Sequence, residues 1–140
     1  MAVGRWLLKT EPGEYSFTDL VRDDQTAWDG VRNAQAQANM RRMIAGDACV
    51  IYHTGAERSA IGLAEVVRAA YPDATDPSGR WCLVDVRATS PLARPVPLAE
   101  LRAAAAFAIS PLLRQPRLSV VPLAEAEWQA LLAVAASSRA

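Results

Sequence analysis

The most chemically varied segment of the sequence is Trp28-Asp29-Gly30-Val31-Arg32-Asn33. This segment is apolar neither at alternate positions nor at helical spacing, so it is not typical of a core strand or helix. Trp28 offers a flat face for stacking, and Arg32 and Asn33 offer planar hydrogen-bonding groups. Gly30 has no Cβ, which lets the backbone turn or approach a ligand closely. These are the parts needed to hold a flat, polar heterocycle such as a nucleobase.

A purely structural interpretation of the same segment stays open. In it, Trp28 covers the core and Asn33 caps the next helix, because asparagine is a favoured N-cap residue. Residues 34–44 are rich in the helix formers Ala, Gln, Met and Arg, and Gly46 follows where a C-terminal glycine belongs. The sequence therefore predicts a helix directly after the segment.

Groups suited to catalysis are few. His53 is the single histidine, so a general acid or base would have to be His53 or a carboxylate such as Glu11. The sequence contains no Gly-x-Ser-x-Gly elbow, no phosphate-binding glycine loop and no cluster of metal ligands. Lys9 and Glu11 flank Thr10, either as a surface ion pair or as polar anchors at the mouth of a pocket. We expect a binding protein with no catalytic residue, metal or cofactor.

Composition predicts one domain in a neutral chain. The chain has 140 residues, 51% of them hydrophobic, and a formal net charge of zero. A neutral protein binds nucleic acid only through a local patch, and residues 30–46 carry basic but no acidic side chains. Cys49 and Cys82 lack CxxC spacing and are interpreted as buried free thiols. With no recognisable targeting segment or membrane span, we expect a cytoplasmic monomer that does not bind membranes.

The elements that position these residues follow from turn residues and apolar patterns. Residues 5–10 predict a first strand, and Ser16 with Asp19 predicts a capped short helix after it. Three successive strands are expected at 48–53, 60–70 and 81–88. The remaining elements are expected to be a helix over 98–107, an irregular segment over 109–121 and a last helix opened by Pro122. Successive strands without intervening helices favour a mixed or antiparallel sheet, and hence an α+β fold with a small curved barrel.

Taken together, the motifs resemble the EVE domain family of the PUA-like superfamily. The matching segments extend over nearly the whole chain, at 6–16, 28–33, 35–36, 39–40, 46–47, 52–53, 62–67, 70–73, 81–87 and 117–120. The resemblance implies a single EVE domain over residues 1–140, with a PUA-like bent, mixed or antiparallel β-barrel flanked by helices. Family members are similar to readers of modified bases, notably modified cytosines in DNA, which are held flipped out in a pocket.

The resemblance also implies a role for each matched residue. Trp28 is expected to form one wall of an aromatic-lined pocket, and the Asn33 amide is expected to contact a base edge. The full base-binding set would be Lys9, Thr10, Glu11, Trp28, Gly30, Val31, Asn33, Tyr52 and His53. The sugar-phosphate backbone would be contacted by Arg32, Arg114, Arg117 and Ser119. A flipped base needs such contacts because it loses its stacking and pairing in the duplex.

Two positions depart from the family pattern. Ala34 stands where many relatives carry a larger residue, often tyrosine, which leaves one side of the pocket more open. Pro116 stands where relatives usually have glycine, and proline fixes φ and removes a backbone donor. Both departures bear on ligand preference and not on the fold.

The leading hypothesis is a non-enzymatic protein that binds nucleic acid, DNA rather than RNA, through a modified, cytosine-derived base. One alternative is an enzyme acting on a nucleotide or RNA, with His53 and Glu11 as acid and base. The other is a pocket for a small metabolite, which the neutral net charge favours. The enzyme predicts turnover that depends on His53. The metabolite pocket predicts no salt-dependent binding to oligonucleotides, since phosphate contacts make affinity fall with salt.

Overall fold

The computed structural model describes residues 4–137. Within that range the strands are β1 (Arg5–Thr10), β2 (Gln25–Trp28), β3 (Ala48–His53), β4 (Ser59–Pro72), β5 (Cys82–Pro97) and β6 (Val120–Pro122). The helices are α1 (Phe17–Asp23), α2 (Ala34–Arg42), α3 (Leu98–Ala103), α4 (Pro111–Arg114) and α5 (Glu125–Ala136), with a 3₁₀ turn at Ala105–Phe107.

The strands form a six-stranded mixed sheet in the order β2-β5-β4-β3-β1-β6. β1 runs parallel to β3, and all other neighbouring strands are antiparallel. The expectation of an α+β fold with a mixed sheet is confirmed. The expected barrel is wrong, because the outer strands β2 and β6 do not pair with each other. Register shifts between β4 and β5 mark bulges, which bend and twist the sheet without closing it.

The centre of the core is the pair β1 and β3. Leu7 and Leu8 of β1 are fully buried and lie opposite Val50 and Ile51 of β3. Strands covered on both faces read as continuous apolar runs, which is why the sequence predicts both of them well. The polar residues that follow in β1 are therefore held at the end of the most rigid part of the sheet.

Two buried amides fix α2 to the sheet. Gln37 Nε2 donates to the carbonyl oxygens of Val31 at 2.8 Å and Cys82 at 3.3 Å, and its Oε1 accepts from the Cys82 N–H at 2.9 Å. Asn39 Nδ2 donates to the Val120 carbonyl at 2.9 Å. Buried polar groups are normally paired in this way. As a result α2 is joined to β5, to β6 and to the loop that precedes it.

The capping signals at the starts of α1 and α2 are confirmed, whereas Gly46 does not end α2, which stops at Arg42 with Met43 as its C-cap. Ser16 and Asp19 form the capping box of α1, in which each side chain accepts from the other's backbone N–H. Asn33 caps α2, because its Oδ1 accepts from the Ala36 N–H at 2.9 Å. Both caps place a polar side chain at a helix start that would otherwise leave N–H groups unpaired.

Three boundaries differ from the expectation. Residues 25–28, where no strand is expected, form β2 through pairing with residues 84–87 of β5. β5 continues through Pro91 and Pro95, because beyond residue 87 one side of β5 has no partner strand and proline is tolerated at an edge. Pro122 ends β6 and does not open the last helix, which begins at Glu125.

The C-terminal half of the chain also contains shorter helices than expected. The helix predicted over 98–107 ends at Ala103 and is followed by the 3₁₀ turn. The segment predicted as irregular contains the short helix α4, whose start is capped by the Ser110 hydroxyl, which accepts from the Leu112 N–H. None of the helices in residues 4–137 combines the length and the apolar character that crossing a membrane requires.

Both cysteines are unpaired and buried, as expected. Burial raises the pKa of the Cys49 thiol and of the Cys82 thiol. A thiol with a raised pKa carries little thiolate, which is the reactive form. Cys49 and Cys82 are therefore core residues.

Candidate functional site

A pocket of about 520 Å³ opens where β1 and β2 end and the loop to α2 begins. Its size lies within the range of small-molecule sites. It is lined by Lys9, Thr10, Glu11, Glu14, Tyr15, Thr26, Ala27, Trp28, Asp29, Gly30, Val31, Arg32 and Ser119. The structure thus brings together most of the expected base-binding residues with two of the expected backbone contacts. We call this hollow the main pocket.

Trp28 forms an apolar wall of the main pocket. It is the last residue of β2, is 6% exposed, and lies opposite Val84 in β5. Tyr15 packs edge-to-face against it, with ring centroids 6.3 Å apart and an interplanar angle of 83°. The Tyr15 hydroxyl donates to Asp23 at 2.9 Å, and burial and this carboxylate raise the Tyr15 pKa. The aromatic wall is therefore held in place by its neighbours.

Tyr15 was not among the expected site residues. It belongs to the first family-like motif, at 6–16, but no spacing rule relates it to Trp28. The two aromatic rings meet only because β2 pairs with β5 and brings Trp28 beside the turn after β1. An aromatic residue just after the Lys9-Thr10-Glu11 segment is the signal that could have suggested it.

Gly30 shapes the rim of the main pocket. Its φ is +74°, in the left-handed region that side-chain-bearing residues adopt with strain. The next residue, Val31, is buried and its carbonyl accepts from Gln37. The turn at Gly30 and the bond from Gln37 together hold the loop against the pocket.

Lys9 joins the main pocket to the segment before β6. Its Nζ donates to the Pro116 carbonyl at 2.9 Å and lies 5.8 Å from the centre of the Tyr52 ring. Its backbone N–H donates to the Ser119 carbonyl at 2.9 Å. Burial lowers the pKa of the Lys9 amine. These bonds explain why Ser119, distant in sequence, lines the pocket.

The turn after β1 supplies the polar side of the main pocket. The Thr10 hydroxyl donates to the Tyr15 carbonyl at 2.6 Å, and the Glu11 carbonyl accepts from the N–H groups of Glu14 and Tyr15. The Glu11 carboxylate accepts from the Gly13 N–H at 3.0 Å. The turn is thus organised by its own hydrogen bonds.

Arg32 lies at the mouth of the main pocket. Its side chain is 46% exposed and pairs with Asp73 at 3.6 Å. The guanidinium carbon lies 5.3 Å from the centre of the Trp81 ring, a cation–π contact. Hydrogen bonds from Thr75 and the nearby Arg32 hold the pKa of Asp73 below its usual range. Arg32 is therefore positioned yet still accessible to solvent.

Tyr52 and His53 do not line this pocket. They are buried in β3, opposite Lys9 and Thr10 of β1. His53 Nε2 accepts from the Phe17 N–H at 3.0 Å, and Nδ1 lies 3.0 Å from a Glu57 carboxylate oxygen. The acceptor role of Nε2 places the proton on Nδ1. Both ring nitrogens thus have partners within the fold, as in a structural histidine.

A second, shallower pocket of about 360 Å³ holds two further expected residues. It is lined by Asn33, Gln35, Gln115, Pro116, Arg117 and Leu118. We call it the side pocket. Arg114, at the end of α4, lines neither of the two pockets. In residues 4–137, no group of three or more His, Cys, Asp or Glu side chains is arranged to hold a metal ion.

Across residues 4–137, the open six-stranded mixed sheet and the five helices around it define a small α+β domain. The chain belongs to the EVE domain family, whose model matches residues 4–134. It is 32% identical to human thymocyte nuclear protein 1 over an alignment 163 positions long, which covers 92% of this chain and 72% of that protein.

Solved structures agree with this assignment. The crystal structure of the human THYN1 protein in complex with 5-methylcytosine-containing DNA matches with a TM-score of 0.91 and 30% identity, covering 97% of this chain and 99% of that one. A hypothetical protein from Leishmania major matches with a TM-score of 0.91 and 35% identity, covering 96% of this chain and 95% of that one. The expected family is therefore confirmed.

The relatives correct the expected location. The curated relatives from human and mouse are thymocyte nuclear proteins, so the expectation of a cytoplasmic protein is wrong. It rested on the lack of a recognisable targeting segment, a feature that does not distinguish the cytoplasm from the nucleus.

Proposed function

We propose that this protein is a non-enzymatic module that binds DNA by holding a modified, cytosine-derived base, flipped out of the duplex, in the main pocket. The observation that carries the proposal is the Trp28–Arg32 segment, which lines a pocket large enough to admit a nucleobase in an EVE domain. It is supported by the human THYN1 protein, which has been solved with 5-methylcytosine-containing DNA.

A base that flips out of the duplex loses its stacking on neighbouring bases, and contact with the Trp28 ring replaces that stacking. Stacking of a base on an aromatic side chain contributes roughly 1–3 kcal/mol. Because Tyr15 packs against the indole, the stacking face is already ordered before the base arrives. Little side-chain entropy is then lost on binding.

The polar side of the main pocket suits the edge of a cytosine. The base presents an amino donor together with acceptors, so it needs both acceptors and donors around it. Glu11 and Asp29 supply carboxylate acceptors, and Lys9 supplies a donor from the floor. The apolar Val31 gives a surface for a methyl group on the base. Mixed charges in the pocket are therefore consistent with a neutral, polar ligand.

Arg32 provides the contact to the sugar-phosphate backbone. A guanidinium fork suits phosphate oxygens, and a half-exposed side chain at the mouth can reach them without further burial. Ser119, on the opposite wall, offers a hydroxyl to the same backbone. A few such local contacts allow a chain of zero net charge to bind a polyanion.

The test is a fluorescence anisotropy titration with matched duplexes that carry cytosine or 5-methylcytosine at one position. We expect tighter binding to the methylated duplex, and Trp28→Leu should lower that affinity about 5- to 100-fold. Trp128→Leu is the matched control, because Trp128 is also 6% exposed but lines neither pocket. Circular dichroism confirms that both variants are folded.

Equal affinity for the two duplexes would overturn the proposal. The same titration is repeated with matched RNA strands and with free nucleosides. Binding to a free nucleoside alone, with no salt-dependent binding to any strand, would identify a metabolite pocket instead. Turnover of a strand or nucleotide that is lost in His53→Ala would identify an enzyme.

A further inference from the structure

The main pocket and the side pocket are neighbouring sections of one groove. Along one wall, Arg32 of the main pocket is followed directly by Asn33 of the side pocket. Along the other wall, Ser119 of the main pocket is preceded directly by Leu118 of the side pocket. The Lys9 Nζ of the main pocket also lies 2.9 Å from the Pro116 carbonyl of the side pocket, so the two hollows adjoin each other. The groove runs between the start of α2 and residues 115–119.

The walls of this groove are fixed by hydrogen bonds. Lys9 Nζ holds the Pro116 carbonyl at 2.9 Å, and the Leu118 N–H donates to the Gln115 carbonyl at 2.9 Å. On the opposite wall, Asn33 is held by its capping bond to α2. The side pocket therefore exists before any ligand binds, as ligand sites usually do.

The side pocket has the side chains that bind a nucleotide. Gln35 and Gln115 carry amides, which pair with base edges, and Arg117 carries a guanidinium, which pairs with phosphate or with a guanine edge. Pro116, which is exposed, adds apolar surface on which a base can rest. Asn33 contributes only its NH₂ group, because its oxygen already caps α2.

Charge distinguishes the two ends of the groove. Glu11, Glu14 and Asp29 line the main pocket, whereas the side pocket contains no acidic residue. A phosphodiester chain is repelled by carboxylates and attracted by guanidinium groups. A strand that leaves the main pocket is therefore directed between Arg32 on one wall and Arg117 on the other, over the side pocket.

We infer that the side pocket binds the nucleotide adjoining the flipped base, which makes recognition depend on the neighbouring base as well as on the modified one. The neighbouring base rests on Pro116, the Gln35 and Gln115 amides contact its edge, and Arg117 binds its phosphate. This inference rests on the proposed function and adds to it that the base next to the modified one affects affinity.

The experiment measures binding to strands in which only the nucleotide next to 5-methylcytosine is changed. Each of the two flanking positions is varied through the four bases and an abasic site, and affinity is read by fluorescence anisotropy at constant salt. We expect one abasic flank to weaken binding by wild-type protein about fivefold, the net contribution of about one hydrogen bond from the amides to the base edge. The double variant Gln35→Ala/Gln115→Ala should bind intact and abasic strands alike.

Gln129→Ala serves as the matched control, since Gln129 is an exposed amide on α5 that lines neither pocket. It should keep the wild-type dependence on the flanking nucleotide. An abasic flank that has no effect on wild-type binding, while methylated strands remain preferred, would overturn this inference and leave the proposed function standing. A flank effect that persists in the double variant would also overturn it. Loss of the preference for methylated strands in wild-type protein would refute the proposed function instead.

Discussion

Gln37 is the side chain that ties the pocket loop to the rest of the fold. It is fully buried, and its amide makes three hydrogen bonds, to the Val31 carbonyl and to both backbone groups of Cys82. Gln37→Leu keeps nearly the same volume and removes all of these bonds. The substitution therefore tests the polar contacts of α2 without opening a cavity.

The expected loss of stability follows from the backbone groups that Gln37→Leu leaves without a hydrogen-bond partner. An average intramolecular hydrogen bond contributes about 1 kcal/mol, and a buried donor without a partner costs about 1–3 kcal/mol. The Cys82 N–H would be such a donor, and the Val31 and Cys82 carbonyls would also lose their side-chain donor. We expect the free energy of unfolding to fall by about 3–5 kcal/mol, out of the 5–15 kcal/mol typical of a domain.

Urea denaturation followed by circular dichroism measures this loss. Gln35→Leu, two residues earlier on the exposed side of α2, should change the free energy of unfolding by less than about 0.5 kcal/mol. In the same Gln37→Leu protein, affinity for the methylated duplex should fall, because Val31 is no longer held at the main pocket. A loss of stability below about 1 kcal/mol would refute the idea that this amide fixes the loop.

Three further predictions test the site and its supports. Arg32→Ala should reduce the slope of log affinity against log salt by about 0.9, the value for one phosphate contact, and an unchanged slope would contradict its role. His53→Ala should lower the free energy of unfolding by about 1–3 kcal/mol, since the buried Phe17 N–H loses its acceptor, and should leave DNA binding intact in a folded sample. The Ser78 hydroxyl and nearby N–H groups lower the pKa of Asp76 from 3.8 to about 2, so its ionised form stabilises the fold above pH 4. Asp76→Asn should therefore be less stable than wild type at pH 7, with a difference that shrinks towards pH 2 in urea titrations.

The parts of the fold that the sequence predicts are those decided by near neighbours. β3 was expected at its observed residues because a buried strand is an uninterrupted apolar run. The caps at Ser16 and Asn33 were recognised because a cap depends on residues three positions apart. In these elements, local preference and tertiary structure agree.

The parts that the sequence does not predict depend on distant partners. Residues 25–28 have no strong strand pattern, and they form β2 only because β5 pairs with them. Pro91 and Pro95 would normally end a strand, but they lie where β5 has no neighbour on one side. The closed barrel was wrong for the same reason, since strand order cannot be read from local periodicity.

The same distinction between near neighbours and distant partners applies to the residues of the site. Trp28, Gly30 and Val31 were found because they are adjacent in sequence and chemically unlike a core segment. Tyr52 and His53 were placed in the pocket by the resemblance to the family, but they are buried in β3. Sequence position alone does not reveal which of two polar strand ends opens to solvent.

One wall of the main pocket is an outer edge of the sheet, because β2, which ends in Trp28, is the terminal strand on that side. An exposed sheet edge is a template on which another chain can add a strand and start aggregation. Here the edge strand is only four residues long, and the chain turns away at Gly30. The edge is thus long enough to place Trp28 beside a ligand and too short to recruit a neighbouring protein chain. Its brevity therefore protects the solubility of the protein at the edge that carries Trp28.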